Sequence, residues 1–225
     1  MGRNCQRRPG EARGPGRPSE LALAGLVLAA LCVGLGCQQL PLGVWPFGAG
    51  TVEGRVVGDA PEEGAWVVVY LEGSLGRSWR RSSTASLHGG TGGFSPPLLA
   101  VAVGQTVEVA NGDAIHHRFF SSSRPNDFEL PTLVGGERLQ VAFEHPGAVR
   151  VYCSLHPDES GTIFVAPSRF FATVRAPGRY SIQNVPPGRY ALHTWSEGPA
   201  AATLEITVQS GTSAFVELPL GEARP

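Results

Sequence analysis

One cysteine and a small set of histidines carry the chemistry that this sequence offers. Cys153 and His156 stand three residues apart in Tyr152-Cys153-Ser154-Leu155-His156-Pro157, and the pair His116-His117 lies upstream, with His117 36 residues before Cys153. A thiolate and two imidazoles are the in-plane donors of a blue-copper site, which a weak axial ligand completes. The soft thiolate bonds covalently to copper, the imidazoles suit both oxidation states, and a rigid β scaffold would hold the geometry during electron transfer. Cys-x-x-His taken alone is equally a buried thiol beside a surface histidine. Strand alternation allows only one of His116 and His117 to face such a site; if His117 points inward, so does Phe119, and His116 and Arg118 face the other way.

The other cysteines sharpen the reading. Cys5, Cys32 and Cys37 all lie in or beside an N-terminal segment with the features of an export signal. Five Arg and two Glu occupy residues 1–20, the uncharged run LALAGLVLAALCVGL covers residues 21–35, and Gly36-Cys37 follows. The apolar run is short for a spanning helix, which needs roughly 17–25 residues. Gly34-Leu35-Gly36-Cys37 resembles a bacterial lipobox with Cys37 as the lipid-modified residue, although Gly34 stands where that family prefers Leu. Residues 1–37 are therefore expected to be a signal peptide or lipoprotein signal, and residues 38–50 a Pro/Gly-rich tether. The remainder is expected to work outside the cytoplasm, in the periplasm or as an outer-membrane lipoprotein of a bacterium. Cys153 is then alone in the exported part, where it has no internal disulfide partner. It is a free thiol or a ligand.

The elements that must position these residues read as strands. The chain has 225 residues, with Gly (30) and Pro (19) making roughly a fifth of it, above the usual ~12%. Alternating or β-branched runs predict strands over 51–57, 66–71, 98–103, 106–110, 115–121, 138–143, 149–152 and 162–165, then 180–182, 190–194, 203–208 and 214–218. Residues 72–93 are polar and rich in Ser, Gly and Arg, and predict a long loop or irregular edge. About a dozen short strands at regular spacing imply an all-β sandwich.

Composition excludes other classes. The 18 basic residues, all Arg, balance 19 acidic ones for a net charge of −1, without the basic excess of a nucleic-acid-binding protein. Gly89-Gly90-Thr91-Gly92-Gly93 has no following Lys or helix and is no phosphate loop. No nucleophile elbow is present, so the chain is not expected to be an enzyme. His88, His116, His145 and His193 read as surface or turn residues, and Phe119, Phe120 and Phe164 as core.

Two resemblances follow from ordered motifs. Asn111-x-Asp113-x-x-x-His117, Phe120-Ser121, Glu144-x-Pro146-Gly147 and Tyr152-Cys153-x-x-His156-Pro157, preceded by Phe94-x-Pro96 and Val103-Gly104-Gln105-Thr106-Val107, resemble bacterial plastocyanin-like cupredoxins of the methylamine utilisation branch. This resemblance implies a cupredoxin Greek-key β-sandwich over 91–166, one type 1 copper ion and electron transfer, with His117, Cys153 and His156 as ligands. The family tends to place an axial Met three residues after the second ligand His. Here Glu159 holds that position, and Met1 is the single methionine. Three alternatives stand open: Glu159 supplies a carboxylate oxygen, which favours Cu(II); a backbone carbonyl or nothing sits axially; or the site is lost or altered toward another metal. Asn111 and Asp113 read as turn formers and hydrogen-bonding partners that hold the Cys153 loop and tune its sulfur, rather than as ligands.

Val52-x-Gly54-Arg55-Val56 with Gly64-Ala65-x-Val67-x-Val69-Tyr70-Leu71, and later Gly178-Arg179-Tyr180-Ser181-Ile182-x-Asn184-Val185-Pro186-Pro187-Gly188-Arg189-Tyr190, look like a carboxypeptidase regulatory-like domain. That is a small transthyretin-like β-sandwich without catalysis of its own, assigned here to 167–225. The leading strands within 51–90 belong either to this module, with the copper block inserted into it, or to the cupredoxin. The function expected is a tethered one-electron carrier serving redox partner proteins, with no nucleic-acid partner and membrane contact only through the N-terminal anchor. The alternatives are a copper-binding or copper-handling protein without redox turnover, and a structural β-sandwich with a vestigial metal site.

Overall fold

The computed structural model describes residues 48–58, 64–73, 84–198 and 201–220, all of them in strands, turns or irregular segments. The export signal expected over 1–37, and the tether up to residue 47, lie outside the described residues. The strands are β1 (Gly50–Gly58), β2 (Trp66–Gly73), β3 (Ala85–Gly90), β4 (Gly93–Ser95), β5 (Leu98–Ala102), β6 (Gln105–Asn111), β7 (Phe119–Ser121) and β8 (Phe128–Glu129). They continue as β9 (Arg138–Phe143), β10 (Gly147–Cys153), β11 (Ser160–Ala166), β12 (Phe171–Arg175), β13 (Gly178–Val185), β14 (Gly188–Ser196), β15 (Thr203–Val208) and β16 (Ser213–Leu220).

Four sheets result, ordered β13-β1-β16, β12-β2-β14-β15, β5-β11-β10-β7-β8 and β4-β3-β6-β9. The first two enclose a core that includes Val52, Val56, Val67, Leu71, Ile182, Tyr190 and Leu192. The last two enclose a second core around Leu87, Val107, Phe119, Phe143, Val151, Cys153 and Ile163. Between them a third cluster joins Val68, Trp66 and Tyr70 of β2 to Leu98 of β5 and to Phe164 and Ala166 of β11. Sheets at these faces therefore have two buried sides. This explains the unbroken apolar run Trp66–Leu71: Val67, Val69 and Leu71 serve one core, while Trp66, Val68 and Tyr70 serve the aromatic cluster. In β11, Ile163 and Val165 face the Cys153 core, and Phe164 and Ala166 face β2. Phe164 stacks on Trp195 with ring centroids 4.7 Å apart, and Arg150 and Thr162 both bond Glu197 across the same junction.

Several elements depart from the sequence reading. Residues 85–90, expected in a loop, form β3 and pair in parallel with β6, with Leu87 fully buried opposite Val109. The strand expected over 115–121 is regular only from Phe119, and His117 is held by an isolated bridge to Leu133. Strands β4, β8 and β12 carry too few alternating residues to stand out in the sequence.

The two leading strands pair with C-terminal ones. β1 lies between β13 and β16, and β2 between β12 and β14. Residues 168–225 on their own would lack the central strand of one sheet and an interior strand of the other. Expressed alone, this segment should show no cooperative unfolding and collapsed amide NMR dispersion; a well-dispersed spectrum would contradict the pairing.

Candidate metal centre

The site is assembled by two short chain segments from adjoining strands. The first runs from the end of β6 to the start of β7. Asn111, buried, donates from Nδ2 to the carbonyls of Ile115 (2.6 Å) and Leu133 (3.0 Å), and its Oδ1 accepts the Asp113 N–H at 3.0 Å. Asn-x-Asp here acts as a turn former whose side chains replace missing backbone partners. His117 then exchanges backbone hydrogen bonds with Leu133, at 3.1 and 2.7 Å. His117 and Phe119 are buried while His116 and Arg118 are exposed, so alternation points His117 inward. The His117 ring stacks on Phe119 at 5.5 Å.

The second segment is the loop from β10 to β11. Cys153 ends β10 beside Phe119 of β7. Its N–H donates to the Glu159 carbonyl at 3.2 Å, and the Glu159 N–H donates to the His156 carbonyl at 3.1 Å. These bonds fold residues 153–159 so that Cys153, His156 and Glu159 all turn toward His117.

Four donor atoms meet there. Cys153 Sγ lies 3.6 Å from His117 Nδ1 and 3.5 Å from His156 Nδ1, and the two Nδ1 atoms are 3.2 Å apart. Glu159 Oε2 lies 2.8 Å from His117 Nδ1 and 3.6 Å from His156 Nδ1. One ligand atom from each residue falls within 4.8 Å of all the others, and this is the one such group of His, Cys, Asp and Glu among the described residues. Imidazole and thiolate sit about 2.0–2.3 Å from a first-row ion such as zinc, which separates tetrahedral donors by about 3.3–3.8 Å. The observed spacings fit a single ion, with the His117–Glu159 edge shorter. The chemistry of the set also fits: one soft sulfur, two imidazoles and one carboxylate suit copper or zinc rather than magnesium or calcium.

Burial grades the donors. His117, Cys153 and Glu159 are buried, whereas the His156 side chain is 35% exposed. Leu155 and Ile115, at 49% and 46%, are among the most exposed large apolar residues. Glu159 is therefore no solvated loop acid; burial of a carboxylate needs a partner, and its partners are the two histidines. His88, His145 and His193 lie outside the cluster. His193 instead stacks on Tyr70 at 5.1 Å. The Asp113 carboxyl is strongly shifted. Hydrogen bonds from the Thr91 hydroxyl and N–H, then from His117 and Ile115, hold it well below the usual carboxylate range. Thr91 had no visible signal in the sequence beyond a glycine-rich loop, and only the fold brings it to Asp113.

A model of the family described as polysaccharide lyase family 4, domain II, matches residues 158–216, a stretch from the end of the Cys153 loop into β16. The chain is similar to a purple cupredoxin from Nitrosopumilus maritimus, at 30% identity over 36% of this chain and 99% of that one, with a TM-score of 0.34. It is similar to an amicyanin variant in its Cu(I) form, at 21% identity over 36% of this chain and 81% of that one, TM-score 0.34. A copper-containing nitrite reductase from Thermus scotoductus SA-01 is 27% identical over 41% of this chain, which spans about a quarter (24%) of that protein, TM-score 0.35. No curated protein matches. The fold of the described residues is all-β.

Asn111→Ala removes three hydrogen bonds from a buried turn without altering any donor of the cluster. It should cost about 1–3 kcal/mol of stability in chemical denaturation; a loss below roughly 0.5 kcal/mol, the scale of neutral surface changes, would contradict this role.

Proposed function

We propose that the chain is an exported type 1 copper protein that carries single electrons, with His117, Cys153 and His156 as ligands and Glu159 as the axial one. The observation that supports this most directly is the convergence of Cys153 Sγ, two histidine Nδ1 atoms and Glu159 Oε2 in one cluster, three of whose residues are buried. Copper bound there would supply a one-electron couple between Cu(I) and Cu(II). The chain's own part is to hold the donors still: the Leu133 bridge and Asp113 fix His117, and the Cys153–Glu159 backbone bond fixes the loop. Donors set by the fold need little rearrangement when the charge changes. His156 reaches solvent while the other three do not, so its ring edge is the place where a redox partner would approach.

Glu159 distinguishes this centre from thioether-bearing relatives. A hard anionic oxygen stabilises Cu(II) over Cu(I) and lowers the reduction potential. The same carboxylate favours a second reading, a copper-holding protein without redox turnover. In either case we read residues 85–166 as a copper domain inserted into a second sandwich, and not as an enzyme. The export signal expected over residues 1–37 supports a location in the periplasm or on the outer membrane, with the N-terminus as the tether.

Loaded with Cu(II), residues 38–225 should show an intense thiolate charge-transfer band and a type 1 electron paramagnetic resonance signal, both lost in Cys153→Ser. Glu159→Gln should keep the band and raise the reduction potential. Colourless protein, or weak nitrogen–oxygen copper indifferent to Cys153→Ser, would overturn the reading. Copper release on reduction would favour the holding protein.

A further inference from the structure

The glycine-rich segment 89–93 finds its place beside the metal centre. It joins β3 to β4, and from its tip Thr91 donates both its N–H and its hydroxyl to Asp113 Oδ2, each at 2.6 Å. The other oxygen, Oδ1, accepts the Ile115 N–H at 3.1 Å and faces His117 Nε2 at 2.9 Å. An ionised carboxylate only accepts, and its roughly four lone-pair sites are all engaged here. His117 Nε2 must therefore carry a proton and donate it, which directs Nδ1 to Cys153, His156 and Glu159.

We infer that Thr91, Asp113 and His117 form a support relay, in which Asp113 is a positioning residue that sets the ring orientation and donor strength of His117. An Asx turn alone accounts for the backbone bonds of Asn111 and Asp113. It does not account for the hydroxyl of Thr91, 22 residues away in sequence, or for the bond to Nε2, which engage the two different oxygens of Asp113. The hairpin's glycines permit the approach. A side chain at Gly89 would overlap the Phe119 ring that stacks on His117, and a Cβ at Gly90 would lie 3.1 Å from Asp113 Oδ2. A carboxylate on the far nitrogen of a ligand imidazole raises its basicity and favours the more highly charged ion. Thr91 opposes this, because its hydrogen bonds draw charge from Asp113.

The redox consequence rests on the copper reading; the hydrogen bond does not. Removing the charge in Asp113→Asn should weaken Cu(II) binding about tenfold, the lower end for such supports, with Cu(I) binding little changed. For one electron, that tenfold change is a rise of about 59 mV in reduction potential. Thr91→Val leaves Asp113 a stronger acceptor and should shift the potential the opposite way by a smaller amount. A purely structural role would move both variants in the same direction. In metal-free protein, proton NMR should show the His117 Nε2–H protected and far downfield, and shifted upfield in Asp113→Asn. An unprotected Nε2–H, or one unmoved by Asp113→Asn, would overturn the relay even if wild type binds no copper. If Asp113→Asn does not fold, Thr91→Val decides: a further downfield Nε2–H supports the relay and no change overturns it. Should wild-type copper protein lack the thiolate band, the copper reading fails while the NMR outcome still judges the relay.

Discussion

A buried imidazole must find partners for both ring nitrogens, since each polar group withdrawn from water without one is costly. His117 is fully buried, and the architecture around it supplies partners on both sides. On one side stands Asp113, held in place by Thr91 and by the Asn111 turn. On the other stand Cys153, His156 and Glu159, presented by the β10–β11 loop. The partners come from two strand junctions, β6–β7 and β10–β11, and Thr91 behind Asp113 comes from a third, β3–β4. Satisfying one histidine therefore fixes the relative placement of β3, β6, β7, β10 and β11.

The second sandwich bears on this arrangement through β11. That strand follows the ligand loop directly, and its outward face is covered by the aromatic cluster of Tyr70, Phe164 and Trp195. Because β2 and β11 are buried on both faces, their side chains are doubly constrained, and the ligand loop grows from a strand that cannot easily shift register. Packing of β11 and β5 on β2 thus anchors β3–β11 against the second sandwich.

Much of this was legible in the sequence. Cys153, His156 and His117 stand out by type and spacing; strand parity allowed only one of His116 and His117 to face the site, and the family resemblance together with that parity pointed to His117. Trp66–Leu71 was legible as a strand, but the cause of its unbroken apolarity, two buried faces, needed the sheet order. Residues 85–90 were hidden because Ser86, His88 and the paired glycines dilute the alternation, and Leu87 alone marks the core side. Thr91 could not be found at all. Its role depends on the parallel pairing of β3 with β6, a long-range contact that no local pattern encodes. Glu159 was visible only as a departure from a family pattern, and its burial among the histidines is a product of the loop's backbone bonds.

As a proposed electron carrier, the protein must hold its ion with four side chains that barely move when the charge changes. Copper K-edge X-ray absorption on the loaded protein, oxidised and then reduced, tests it directly. One sulfur and two imidazole nitrogens are expected around copper in both states, with only the weak oxygen contact from Glu159 changing appreciably. A first shell of nitrogen and oxygen alone, or loss of an imidazole on reduction, would contradict it.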